Sequence, residues 1–252
     1  MKDQHFHFHL FQRSYLFNFQ LRFFLFFFFF VLLLSGLGIW QLHRYHVKKH
    51  LLQLYQQRLH STALPFALLN PVEQDLQFQP IVVKGQYLNQ LTLLIQNQFY
   101  HGQMGFEVIT PLRIVGDKKL LLIDRGWIKK TDLHAIPDIP SIENEQSIHG
   151  YIKLLNEYQF ILGENILYPQ KRPLVIQKID IAEINQLTHY DFYPFMVRLD
   201  KSQSYGFVRD WVVLSVLPQR HMAYAVQWFS LAFMILVAYF IFSCRRTHAK
   251  KF

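Results

Sequence analysis

Two long uncharged runs frame this chain. Residues 23–40 hold 18 positions without a charge, and residues 222–244 hold 23. As helices they measure about 27 Å and about 34 Å, enough to cross a bilayer, the second with some tilt. A cleavable signal peptide is the rival reading of the first run. Its apolar core would be shorter, and no small-residue cleavage site is evident before Trp40, so a retained anchor is expected. Residues 42–59 then lack both Gly and Pro, which predicts a polar helix continuing the first anchor.

From Phe78 the pattern changes to short β-branched and aromatic runs. Strands are predicted over residues 81–88, 92–95, 106–110 (ended by Pro111) and 120–128. Further strands are expected at 147–154, 174–179, 195–199 and 211–216, with one helix at 181–187 and a Pro-containing loop over 131–146. There is no internal repeat. The fold class that follows is a membrane-anchored α+β protein. Two transmembrane helices, N- and C-terminal, flank a mainly antiparallel β extracytoplasmic domain. The expected boundaries are a cytoplasmic tail 1–22, a first transmembrane helix 23–42, the α+β domain 43–220, a second transmembrane helix 221–244 and a basic cytoplasmic tail 245–252.

Charge placement sharpens this picture. The formal net charge is +9, of which the two tails (1–22 and 245–252) hold +6 and the long middle only +3. A near-neutral domain between basic tails argues against a nucleic-acid partner, whose footprint is a basic stripe on the folded part. It favours the lipid bilayer as a partner, with the basic tails on the cytoplasmic side. The first span taken alone points the other way, because Arg44, Lys48 and Lys49 follow it. The second is the clearer guide, with four basic residues in its short tail. The N-terminus runs almost directly into the first span, leaving little room for a transit peptide. That favours the inner (plasma) membrane of a bacterium, as a multi-pass protein with its domain facing the periplasm; in a eukaryote the equivalent is the mitochondrial inner membrane.

Candidate chemistry is sparse. The one cysteine, Cys244, excludes an intrachain disulfide and any Cys-based zinc or iron–sulfur site. No nucleophile elbow, P-loop, zincin or dinucleotide-binding motif is present, and Asp124-Arg125 reads as an ion pair at a strand end, so no enzyme is expected. Two histidine sets have metal-ligand spacing: His5, His7 and His9 alternate in the first tail, and His43, His46 and His50 share a helix face. An incidental tail and a solvated helix face are the plainer accounts of both. The sharper feature lies where the second span begins. His221, Tyr224, Ala225, Trp228 and Ala232 fall on one helical stripe, which puts an imidazole at a membrane boundary above aromatic and small residues.

Three separated blocks resemble the Surfeit locus protein 1 family. The first is Gly38-Ile39-Trp40-Gln41-Leu42-His43-Arg44. The second comprises Phe78-Gln79-Pro80 with Gly85-Gln86-Tyr87, then Gly105-Phe106-Glu107-Val108-Ile109-Thr110-Pro111-Leu112 and Arg125-Gly126-Trp127. The third runs from Pro218 through His221, Ala225 and Trp228 to Phe229. Asp124 stands where the family commonly has Asn, and Lys129 where Pro is often found. The resemblance implies an assembly factor for haem-copper cytochrome c oxidase, aiding delivery of haem a to subunit I or its stabilisation there. Subunit I and haem a synthase are the implied partners. It implies His221 as a candidate haem ligand, with no other metal. The residues agree in kind, since imidazole is an ordinary axial ligand and Tyr224, Trp228 and Ala225 offer flat apolar walls. If both spans cross once, His43 leaves the membrane near the depth where His221 enters it, which makes His43 a geometrically allowed second ligand. A helix-entry or headgroup role for His221 is the plainer alternative. A scaffold for oxidase subunits without haem, and a two-span envelope sensor, are the competing functions.

Overall fold

The computed structural model describes residues 4–10, 13–69, 75–132, 136–155, 164–167, 172–211, 213–214 and 216–246. In chain order come strands β1 (Gln4–Leu10) and β2 (Arg13–Phe19), then helix α1 (Leu21–Leu59). Next are strands β3 (Leu64–Pro65), β4 (Pro80–Tyr87), β5 (Leu93–Tyr100), β6 (Gln103–Ile114), β7 (Leu120–Lys129), β8 (Gln146–Leu154), β9 (Ile166–Leu167) and β10 (Leu174–Ile176). Helix α2 (Ile181–Thr188), strand β11 (Phe192–Leu199), helix α3 (Pro218–Ser243) and strand β12 (Cys244–Arg246) complete the chain. The chain divides into two compact units, Leu54–Val212 and the pair of flanking segments Met1–Gln53 with Val213–Phe252.

The central unit is a mainly sheet domain built on a β-barrel. Strands follow the order β4-β8-β11-β7-β6, and β6 returns to β4 through Gly85↔Ile114, Gln86↔Arg113 and Tyr87↔Leu112. Only the β7–β11 pair within this ring is parallel. Outside the ring, β5, β10 and β9 extend the sheet from β6. The alternation of β7 explains why its first four residues, Leu120 to Ile123, are all apolar. Leu121 and Ile123 join one core with Ile81, Ile152, Phe195 and Val197, while Leu120 and Leu122 join a second with Leu93, Ile109 and Ile184 of α2. A strand buried on both faces has no polar face to show. Helix α2 starts where Asp180 caps it, its carboxylate accepting from the Glu183 backbone N–H at 3.3 Å.

Two predicted features need correction. Pro111 does not end its strand: β6 continues to Ile114. On one edge of β6 the pairing with β5 ends at Ile109 and the pairing with β4 begins at Leu112, so Pro111 sits at the handover. Its carbonyl faces that edge and accepts from Leu88 N–H at 2.8 Å, so the missing N–H costs no ladder bond. Residues 211–216 form no strand among those described. Trp211 instead lies across the Arg198 guanidinium, 4.6 Å from Cζ to ring centre, and donates its indole N–H to Leu199 O at 3.2 Å.

The Asp124-Arg125 pair also resolves differently, because neighbours on a strand point to opposite faces. Arg125 donates to Tyr205 O at 2.9 Å and Thr110 Oγ1 at 3.3 Å, and its guanidinium lies over Tyr87 and Phe207. Asp124, wholly buried, meets Arg198 of β11 at 3.3 Å, and Glu107 of β6 reaches the same guanidinium at 3.5 Å. Burial pushes the Asp124 carboxyl well above the ordinary carboxylate range, and the Glu107 charge pushes the same way.

The remaining residues singled out by resemblance hold strands together at close approaches. A Cβ on Gly85 would strike the Arg113 carbonyl at the barrel closure, and one on Gly105 would strike both the Ile128 carbonyl and the Trp127 indole. Trp127 lies against Gly105 and donates its ring N–H to Gln98 O at 3.0 Å. Gly126 has φ +113°, and the adjoining Trp127 and Val208 exchange two backbone hydrogen bonds. Gly105→Ala is therefore expected to displace the indole and cost about 1–3 kcal/mol, the range for overpacking. Thermal melting of the full chain in detergent reads this, and an unchanged midpoint would contradict it.

Candidate functional site

The flanking unit contains α3 and α1 as far as Gln53. Helix α1 is 39 residues long and α3 is 26, both long and apolar enough to cross a membrane. Pro218 opens α3 at a position where its missing N–H has no intrahelical partner to lose. Four of the five buried residues of α3 recur every seven positions, at Pro218, Ala225, Ala232 and Tyr239, and the fifth, Ser243, lies one turn beyond Tyr239. That spacing is the seam of a helix pair, and the small residues in it permit close approach. On α1 the buried residue is Gly38. The Phe229 ring occupies the place a Cβ would take there, 2.8 Å from it. Phe27 of α1 meets Tyr239 at 5.6 Å between ring centres, while Gln41 meets His221, so the two helices run antiparallel.

Where α1 passes Gly38 by one turn, the pair carries its one polar bridge among the described side-chain hydrogen bonds between these helices. His221 Nδ1 lies 2.8 Å from Gln41 Oε1. The amide oxygen accepts, so Nδ1 carries the proton and the lone pair of the ring is left on Nε2. That Nε2 is buried and has no hydrogen-bond partner. Buried polar atoms are almost always satisfied, and among the described side chains this nitrogen shares the exception with the Tyr151 hydroxyl of the barrel. A histidine fixed through one nitrogen with the other free is the arrangement by which imidazoles ligate metals.

Around this bridge the predicted residues separate. Ala225 is in the helix seam, Trp228 is half-buried and Tyr224 is exposed at 50%. Trp40 is also half exposed, with the Arg44 guanidinium 6.0 Å above its ring. His43 is exposed. Two residues on from Gln41, it lies about 200° around the helix, so the residue of α1 brought to His221 is Gln41. His46 and His50 are exposed too, and no group of three metal-ligating side chains occurs among the described residues. His5, His7 and His9 fall on β1, but their side chains lie outside the described residues. Cys244 is a free thiol. In the sequence Gln41 stands inside a family block with nothing to mark its partner. The signal that finds it is the rotational phase of α1, set by Gly38 three residues earlier.

Gly38→Leu is expected to push the helices apart and break the bridge. In a Cys244→Ser background carrying Gln41→Cys and His221→Cys, a short bismaleimide should cross-link the helices in the intact pair and fail when Gly38→Leu is added. Equal cross-linking in both would contradict the seam.

Comparison with known proteins adds a family. A family model described as "SURF1 family" matches residues 28–233, which takes in the barrel and most of both apolar helices. A SURF1-like protein of Rickettsia felis is 24% identical over 217 residues, covering 83% of this chain and 92% of that protein. A SURF1-like protein of Dictyostelium discoideum is 24% identical over 256 residues, covering 81% and 90%. Surfeit locus protein 1 of Gallus gallus is 26% identical over 146 residues, covering 51% and 47%.

Proposed function

The chain belongs to the SURF1 family, and on that premise we propose that it is a membrane-anchored assembly factor for haem-copper cytochrome c oxidase that holds haem a on its way to subunit I. It is not an enzyme in this reading. Both apolar helices cross the bilayer once, with the termini in the cytoplasm and the barrel on the outer face. Their outward faces support this: Phe26, Phe29, Phe233 and Ile241 are each at least 58% exposed, a surface that lipid covers and water does not favour.

The observation that carries the haem proposal is the orphaned Nε2 of His221. His221 Nε2 is the atom that would hold a haem, whose iron would supply a Lewis acid for the nitrogen lone pair. The chain's own residues do the rest. Gln41 holds the proton on Nδ1 and fixes the ring plane, Gly38 and Ala225 bring the helices close enough for that bond to form, and Trp228 walls the seam. Arg44 and Arg220, both exposed near the bridge in sequence, carry charge opposite to the carboxylates of a porphyrin. Haem a synthase and subunit I are the partners on either side of such a transfer.

A deletion strain tests this in cells. The expected result is an oxidase poor in haem a with subunit I transcription unchanged, restored by the wild-type chain and not by His221→Ala. Normal oxidase in the deletion strain would refute the assembly role. Full restoration by His221→Ala would leave a scaffold without haem contact.

A further inference from the structure

At the end of the helix pair away from His221 lies a cavity of about 650 Å³, within the usual range for small-molecule sites. Its lining is divided by chemistry. Gln20, Arg22 and Ser243 stand at the terminal end, and aromatic rings, including Phe26, Phe27 and Tyr239, form the wall one turn further in. One side of the seam is closed by ring contacts, Phe24 and Phe27 meeting Tyr239 at 6.1 and 5.6 Å. Phe26 remains 58% exposed, so the cavity opens sideways along the helices.

We propose that this cavity is a binding site for one anionic phospholipid, its phosphate at Arg22 and an acyl chain along the aromatic wall. The proposal rests on the membrane reading above and extends it to a specific lipid. Charge selects the occupant. The segments that enter and leave this end, residues 1–22 and 245–252, carry seven Lys and Arg against one acidic residue. The backbone pairs β12, Cys244–Arg246, onto β2, so the chain leaving α3 and the chain entering α1 run side by side. A neutral lipid meets no counterpart to that charge, and a free phosphate has no use for the rings. Basic pockets between transmembrane helices on the cytoplasmic side are a recurring site for anionic headgroups.

The test uses the full chain in nanodiscs of phosphatidylcholine with or without phosphatidylglycerol. In a Trp40→Phe, Trp228→Phe background, Phe26→Trp places a lone helix indole in the cavity, and brominated acyl chains quench indoles they touch. Brominated phosphatidylglycerol is expected to quench this reporter several-fold more than brominated phosphatidylcholine. Arg22→Gln should bring that ratio to one, and Arg22→Lys should keep it, which separates loss of charge from loss of fold. Equal quenching by the two lipids in the reporter chain overturns the site and leaves the membrane reading standing. Quenching by neither lipid overturns both.

Discussion

Arg198→Met is expected to destabilise the barrel by about 3–5 kcal/mol near neutral pH, the usual cost of removing one partner from a buried ion pair. Methionine preserves much of the volume, so the loss is electrostatic. It removes the guanidinium that joins the Asp124 and Glu107 carboxylates at 3.3 and 3.5 Å in the wild type and leaves Lys153 as the nearby cation. The effect carries a pH signature. Asp124 has a folded-state pKa raised above its unfolded value by burial and by Glu107. The folded state therefore holds this proton more tightly. Its contribution is fully present below the ordinary carboxylate range and is lost as pH rises through the raised value. Removing Arg198, which opposes that shift, should make the loss of stability with pH steeper. Asp124→Asn should flatten the pH dependence in the wild type and recover part of the Arg198→Met loss. Chemical denaturation of the full chain in detergent at acid and mildly alkaline pH measures all of this. Equal stability of Arg198→Met and wild type at alkaline pH would remove the network from the account. Asn is the residue the resemblance expects at position 124, and the burial of Asp124 gives that preference a physical reason.

The second large effect concerns the helix pair. Full chain purified from cells that make haem a is expected to carry a Soret band, and His221→Ala to lose it. Gln41→Leu should keep the imidazole but lose its orientation, lowering haem affinity by about 10–100-fold, as removal of a hydrogen-bond partner behind a metal-ligating histidine does. Gln41→Glu keeps an acceptor oxygen for Nδ1–H and should retain more haem than Gln41→Leu. A chain without haem in every variant would move the function towards scaffolding. A band that survives His221→Ala would place the iron on another residue.

Much of this architecture is legible before any coordinates. Run length alone identifies the two apolar helices, and the unbroken apolar stretch of β7 announces a strand with no solvent face. What sequence does not carry is pairing at a distance. Barrel closure depends on Gly85 meeting Ile114, which no local pattern encodes. Pro111 reads as a strand breaker until the partner on its edge is known to change beside it. Trp211 has the β propensity expected of a strand but is used to cover Arg198. At the site, His221 is conspicuous as the imidazole opening a long apolar run. Its partner is not, because Gln41 and His43 differ by two positions and hence by about 200° of rotation. Once Gly38 fixes the face of α1 that meets α3, the choice falls on Gln41.

The bridge itself is open to direct observation. In the full chain labelled with ¹⁵N-histidine, subtraction of a His221→Gln spectrum isolates the ring nitrogens of His221. The account predicts a proton on Nδ1 and a bare Nε2 in haem-free protein, with the Nε2 signal lost when haem is added. A proton found on Nε2 instead, or an Nε2 resonance untouched by haem, would contradict it.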